Sequence, residues 1–113
     1  MEAIGGYFEL ADCEQADNFP HGTGILLNTG RNALEYILRT IKQVSRIYIP
    51  YFTCEVVLEP IKRLRIPYNY YHINSHFEIA DDIRLGENEY IIVNNYYGIK
   101  DRYVSSLYNK YCE

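Results

Sequence analysis

Short apolar runs alternate with stretches of helical spacing along this chain, and that alternation limits the fold to one class. Ala33, Leu34, Ile37, Leu38 and Ile41 fall on one helical face, with Glu35, Arg39, Lys42 and Gln43 on the wet side. The spacing predicts a helix that begins near Asn32, is capped by the Thr29 hydroxyl and fades around Val44–Ser45. Arg46 to Pro50 reads as a strand stopped by proline. A second helix is expected through Val56, Val57, Ile61 and Leu64, capped by Thr53, with Pro60 either kinking it or leaving an unpaired carbonyl near Val56. Residues 66–73 form a third strand candidate, and 89–94 the clearest buried strand. The polar stretch 74–88 between them has room for a short strand at 77–79. Tyr97-Gly98 marks a turn. A last helix follows from Lys100, with Asp101 as its cap and Val104, Leu107, Tyr108 and Tyr111 as its apolar face. Ile25 to Leu27 reads as a short buried strand ahead of the first helix. Strands alternating with helices imply an α/β fold: three layers, a mainly parallel sheet and flanking helices.

A chain of 113 residues makes one domain at most. Its division is expected to be an N-terminal arm over 1–22 and a domain over 23–113. The net charge of −4 is spread along the chain without a basic stripe, which argues against a nucleic-acid partner. No apolar run is long enough for a bilayer, and the opening residues lack the basic and apolar regions of a signal peptide. Three scattered cysteines, Cys13, Cys54 and Cys112, point to reduced thiols and a cytoplasmic location. Thirteen tyrosines and no tryptophan are unusual. Tyrosine joins an apolar body to a polar tip, so these residues are expected half-buried on strands and helices or at an interface.

The junction Asn28-Thr29-Gly30-Arg31 carries the main chemical signal. A polar turn with one glycine runs straight into a helix, so unpaired N–H groups and the positive end of the helix dipole face one spot. That arrangement suits an anion. The turns Asn28–Gly30, Tyr51–Cys54 and Asn94–Tyr97 all fall at the carboxyl ends of expected strands, where ligands of such sheets bind. Other constellations carry less. His72 and His76 lie in an extended or looped segment, without the helical i,i+4 geometry of a metal pair. Asp81-Asp82 read as solvated loop carboxylates. Gly22-Thr23-Gly24 precedes a strand instead of following one, unlike a dinucleotide loop.

Thr29-Gly30-Arg31-Asn32-Ala33-Leu34 resembles the Ser-Gly-Thr-x-Ala-Leu segment of fold-type I pyridoxal-phosphate enzymes, in particular the DegT-type sugar aminotransferases. Ile47-Tyr48-Ile49-Pro50-Tyr51-Phe52-Thr53 resembles that family's strand ending in Pro-x-x-Thr. Residues 67–74 fall where the family has a strand ending in an acidic residue, and residues 90–98 resemble its later strand ending near Tyr-Gly. The similarity covers about 24–101, in the family's order. It implies the first half of a pyridoxal-phosphate transferase large domain. It implies that Thr29, Gly30 and Arg31 hold the cofactor phosphate, with Phe52, Cys54 and Asn95 toward the ring and substrate. Cys54 departs from the aromatic residue the family often carries there, and Asn95 from its histidine. The lysine that forms the Schiff base and the acid that holds the ring nitrogen belong to family segments beyond those matched here. No catalytic residue is therefore assigned, and none of Lys42, Lys62, Lys100 or Lys110 stands in the family's lysine context. The resemblance implies an amino donor and a keto acceptor as substrates of the parent protein, and a homo-oligomer. The alternative is a complete small α/β domain that binds an anionic ligand or a partner protein without catalysis.

Overall fold

A computed structural model describes residues 22–112. The elements are α1 (Gly30–Thr40), β1 (Arg46–Pro50), a 3-10 turn (Glu55–Val57) running into α2 (Leu58–Arg63), β2 (Tyr68–Tyr71), β3 (Glu89–Ile91), a second 3-10 turn (Tyr96–Gly98) and α3 (Asp101–Tyr111). The expected arm over 1–22 lies, apart from Gly22, outside the described residues.

The three strands form one open parallel sheet in the order β2-β1-β3. Successive side chains of a strand point to opposite faces. Ile47 and Ile49 therefore share a face with their partners Tyr68, Tyr70 and Tyr90. Tyr48 and Pro50 share the other with Asn69, Tyr71 and Ile91. On the first face Ile47 and Ile49 pack with Leu38 of α1 and with Leu58 and Ile61 of α2. Ile49 and Ile61 are 0% exposed, and full burial of such a side chain is worth roughly 1.5–3 kcal/mol. This is the apolar core, and it fixes α1 and α2 over β1.

Two ion pairs set how those helices lie. Arg31 Nη1 donates to Glu59 Oε2 at 2.7 Å, and Arg63 Nη1 donates to Glu35 Oε2 at 2.7 Å. The Glu35–Arg63 pair is one turn further along both helices than the Arg31–Glu59 pair, so α1 and α2 run side by side in the same direction. Arg39 also holds Glu35 at 2.8 Å. The Arg39 hydrogen bond, with Arg63 beside it, holds the Glu35 carboxyl below the usual range.

The other face is built differently. Tyr71 is 2% exposed and its hydroxyl donates to the Ile92 carbonyl at 2.7 Å. The Glu89 carboxylate accepts from the Gly86 N–H at 2.9 Å and from the Tyr48 hydroxyl at 3.4 Å. Helix α3 is tied to residues 79–83 by two tyrosines: the Ile79 N–H donates to the Tyr103 hydroxyl at 2.8 Å, and the Tyr111 hydroxyl donates to the Ile83 carbonyl at 3.2 Å. A groove of about 260 Å³ remains between α3 and Ile91 and Val93. Helices thus flank both faces, as expected.

Several local expectations need correction. Ile25, Leu26 and Leu27 form no strand and are 66%, 71% and 42% exposed. Among the described residues no strand lies beside them and no backbone hydrogen bond pairs them. Helix α1 stops at Thr40, short of Val44, because the Thr40 hydroxyl takes the Ile37 carbonyl and Ile41 turns extended. Thr53 does not cap α2; Cys54 stands before the 3-10 turn and makes no side-chain cap. Pro60 falls in the first turn of α2, where its missing N–H is not needed, and the preceding 3-10 turn absorbs the mismatch. The strand expected at 77–79 is a single antiparallel bridge, Ile73 to Ile79. Asp101 is the first residue of α3, not its cap, and Tyr108 is 69% exposed. The Thr29 cap is as expected: its hydroxyl accepts from the Asn32 N–H at 3.1 Å.

Candidate functional site

A parallel sheet opens a crevice where successive connections leave one strand in opposite directions. The order β2-β1-β3 puts that point between the carboxyl ends of β1 and β3. The turns that follow these strands meet there. Asn94 Nδ2 donates to the Thr53 hydroxyl at 3.2 Å, and the Tyr96 hydroxyl donates to the Phe52 carbonyl at 2.6 Å. The Phe52 and Tyr96 rings stack with centroids 5.6 Å apart. Burial pushes the Tyr96 hydroxyl above the usual tyrosine range, against an opposing hydrogen bond from Asn94.

A third wall comes from the turn after β2. Phe77 lies 5.4 Å from Tyr96, 6.3 Å from Phe52 and, edge-on, 5.5 Å from Tyr97. Phe77 and Tyr97 both have left-handed backbone, at φ 58° and 56°. That conformation costs a bulky residue about 1–3 kcal/mol and persists only where its surroundings enforce it. Asn74 enforces it at Phe77. Its side-chain oxygen accepts the N–H groups of His76 and Glu78, and its backbone carbonyl accepts that of Phe77. Next to this cluster Tyr51 stacks on Tyr70 at 4.4 Å and lies 4.8 Å from His72. The His72 N–H donates to Asp81 Oδ2 at 2.7 Å, with the imidazole Nδ1 3.2 Å from the same oxygen. That backbone bond is the main cause holding the Asp81 carboxyl below its usual range.

The turn at Thr29-Gly30-Arg31 shares this rim. Helix α2 starts beyond the carboxyl end of β1, and α1 runs beside it in the same direction, so the start of α1 lies at the same end. No strand leads into this turn, contrary to expectation. The Asn32 N–H goes to the Thr29 hydroxyl and the Ala33 N–H to the Thr29 carbonyl. The N–H groups of Gly30 and Arg31 have no partner among the described residues. A Cβ on Gly30 would meet nothing within 4 Å, so the spot is open. The Arg31 guanidinium is paired sideways with Glu59.

The expected ring-side residues are placed unequally. Phe52 stands in the crevice, half exposed. Cys54 is a free, exposed thiol ahead of the 3-10 turn. Asn95 is committed to the start of α3, accepting from the Lys100 N–H at 2.8 Å and donating to Asp101. Lys100 Nζ donates to Glu78 Oε1 at 2.7 Å and lies 5.2 Å from the Tyr103 ring centre. No group of three or more metal-ligating side chains occurs among the described residues. Phe77 and the Thr53–Asn94 bond were not foreseen. The signal for Phe77 was present as one aromatic ring set in the turn-forming run Asn74-Ser75-His76. No family model, no curated protein and no solved structure matches this chain, so its functional reading rests on the geometry of this rim.

Proposed function

We propose that this chain carries the phosphate-holding turn and part of the ring wall of a pyridoxal-phosphate site of the sugar-aminotransferase type, as the first half of that large domain. One observation carries the reading: N–H groups at the start of α1, without a partner among the described residues, face the rim where Phe52 stands. The Gly30 and Arg31 amides, with the dipole of an eleven-residue helix, would hold a phosphate dianion. Phe52 would bound the ring. Bound pyridoxal phosphate supplies the electron sink for amino transfer. No lysine of the chain is assigned to bond it covalently, and Lys100 is engaged by Glu78. An amino donor, a keto acceptor and a homo-oligomeric state belong to the same proposal. So does a cytoplasmic location, which the free thiols of Cys54 and Cys112 fit.

The test removes one amide and nothing else. Gly30 is the first helical residue, where proline is tolerated, and Thr29 before it is extended at φ −146° and ψ 153°, as a residue preceding proline must be. Gly30→Pro therefore deletes a single donor. Titration should show pyridoxal phosphate binding more tightly than pyridoxal. Gly30→Pro should weaken the phosphate form about fivefold, an exposed hydrogen bond being worth roughly 1 kcal/mol. Equal binding of the two compounds, or no effect of the proline, overturns the reading. Borohydride reduction should leave no lysine labelled stoichiometrically. The crowding of the ring wall by Phe77 favours a second reading, an anion-binding module without catalysis. Inorganic phosphate competing as well as pyridoxal phosphate would select it.

A further inference from the structure

We propose that Phe77 occupies the ring position of this site and keeps it shut, so that a planar ligand enters only when the 74–78 turn withdraws. The proposal rests on the rim being a ligand site, the reading given above. The crevice between the ends of β1 and β3 is where a flat ligand would enter, and an aromatic ring already fills it. Phe77 contacts Phe52 from the β1 turn and Tyr96 and Tyr97 from the β3 turn, so it closes the crevice from both sides. A flat heterocycle has the same thickness and the same π faces, and it would compete for the same partners.

The turn is built to move. Its left-handed residue is held by Asn74 inside the turn, so the turn withdraws as a unit. What ties it to the rest of the molecule, besides the Phe77 ring contacts, is polar and local: the Glu78–Lys100 ion pair and the Asp81–His72 contact at its base. None of these belongs to the apolar core under α1 and α2, so the turn can open while the sheet stays formed. The Tyr103 hydroxyl bond to the Ile79 N–H limits the movement to the residues before Ile79.

Phe77→Ala and the milder Phe77→Leu test this, with folding checked by circular dichroism. The first readout needs no ligand. Burial keeps the Tyr96 hydroxyl above its ordinary range, and its ring-carbon NMR signal, assigned by its loss in Tyr96→Phe, reports that titration. Opening the crevice should bring Tyr96 back toward ordinary tyrosine behaviour in Phe77→Ala. The second readout is pyridoxal phosphate affinity, expected to rise tenfold or more in Phe77→Ala, with Phe77→Leu between. An unmoved Tyr96 titration overturns the proposal. Measurable and equal pyridoxal phosphate binding by wild type and variant also overturns it, and leaves the cofactor reading standing. A shifted Tyr96 with pyridoxal phosphate bound by neither protein supports the closing contact and removes the cofactor reading. Should Phe77→Ala unfold, Phe77→Leu carries both readouts with smaller shifts.

Discussion

The two faces of the sheet are held by different chemistry. Under α1 and α2, isoleucine and leucine side chains pack without direction, and Ile47, Ile49 and Ile61 are almost wholly buried. On the opposite face and along the carboxyl rim, tyrosine hydroxyls reach single backbone groups: Tyr71 to Ile92, Tyr111 to Ile83, Tyr96 to Phe52, and Tyr103 from Ile79. Apolar packing scales with area and tolerates small shifts. A hydroxyl bond fixes one atom against another and is lost within a few tenths of an ångström. The packed face accordingly supplies stability, and the tyrosine face supplies position for the turns that make the rim. Four of the thirteen tyrosines serve this division; Tyr68, Tyr70 and Tyr90 lie on the packed face instead.

Breaking the packed face should cost most. Ile61→Ala opens a cavity among Leu38, Ile47, Ile49 and Leu58 and should lower stability by about 2–5 kcal/mol in urea denaturation. A loss below 1 kcal/mol would mean the core is not where stability resides. Tyr71→Phe keeps the buried ring and leaves the Ile92 carbonyl unpaired. The expected loss is about 1–3 kcal/mol, with faster amide exchange in β3 than in α1. Uniform exchange across both faces would erase the proposed division.

The packed face was the part legible in the amino-acid sequence. Periodicity in Ala33 to Ile41 and the run Arg46 to Pro50 specified a helix and a strand, because burying apolar area is a one-dimensional pattern. The Thr29 cap was legible for the same local reason. The rim was legible only in outline. Thr53 looked like a helix cap because its spacing allowed one, yet its hydroxyl accepts from Asn94, 41 residues away. Asn95 looked ligand-facing and instead organises α3. Ile25–Leu27 looked like a buried strand because its composition is apolar, but a strand needs a neighbour, and composition does not name one. Contacts between distant turns depend on register and on left-handed residues such as Phe77 and Tyr97, which leave no periodic trace.

The start of α1 sharpens the comparison at smaller cost. Thr29→Ala removes the one side-chain cap of α1, and about 1 kcal/mol should be lost. Because α1 belongs to the packed face, the loss should appear in global denaturation, with the exchange of α3 unchanged. A loss confined to the first turn would show that α1 is held by its ion pairs with α2 more than by its own start.

The smallest effect expected is the acid response of the turn after β2. Asp81 carries its charge below the usual aspartate range because the His72 N–H, and then its imidazole, bind the carboxylate. A carboxyl whose folded value is depressed stabilises above its unfolded value, near about 4, and that contribution fades as pH falls through the folded value. Below about 4 the His72 amide signal should therefore shift as the Asp81 carboxylate takes up its proton. Asp81→Asn should abolish the transition while the amides of β1 and α1 stay unmoved. Both groups are exposed, so the change should be local and absent from the global melting curve. A transition below about 4 that spreads into Ile47 and Ile49 would tie the tyrosine face to the core and end the separation drawn between them.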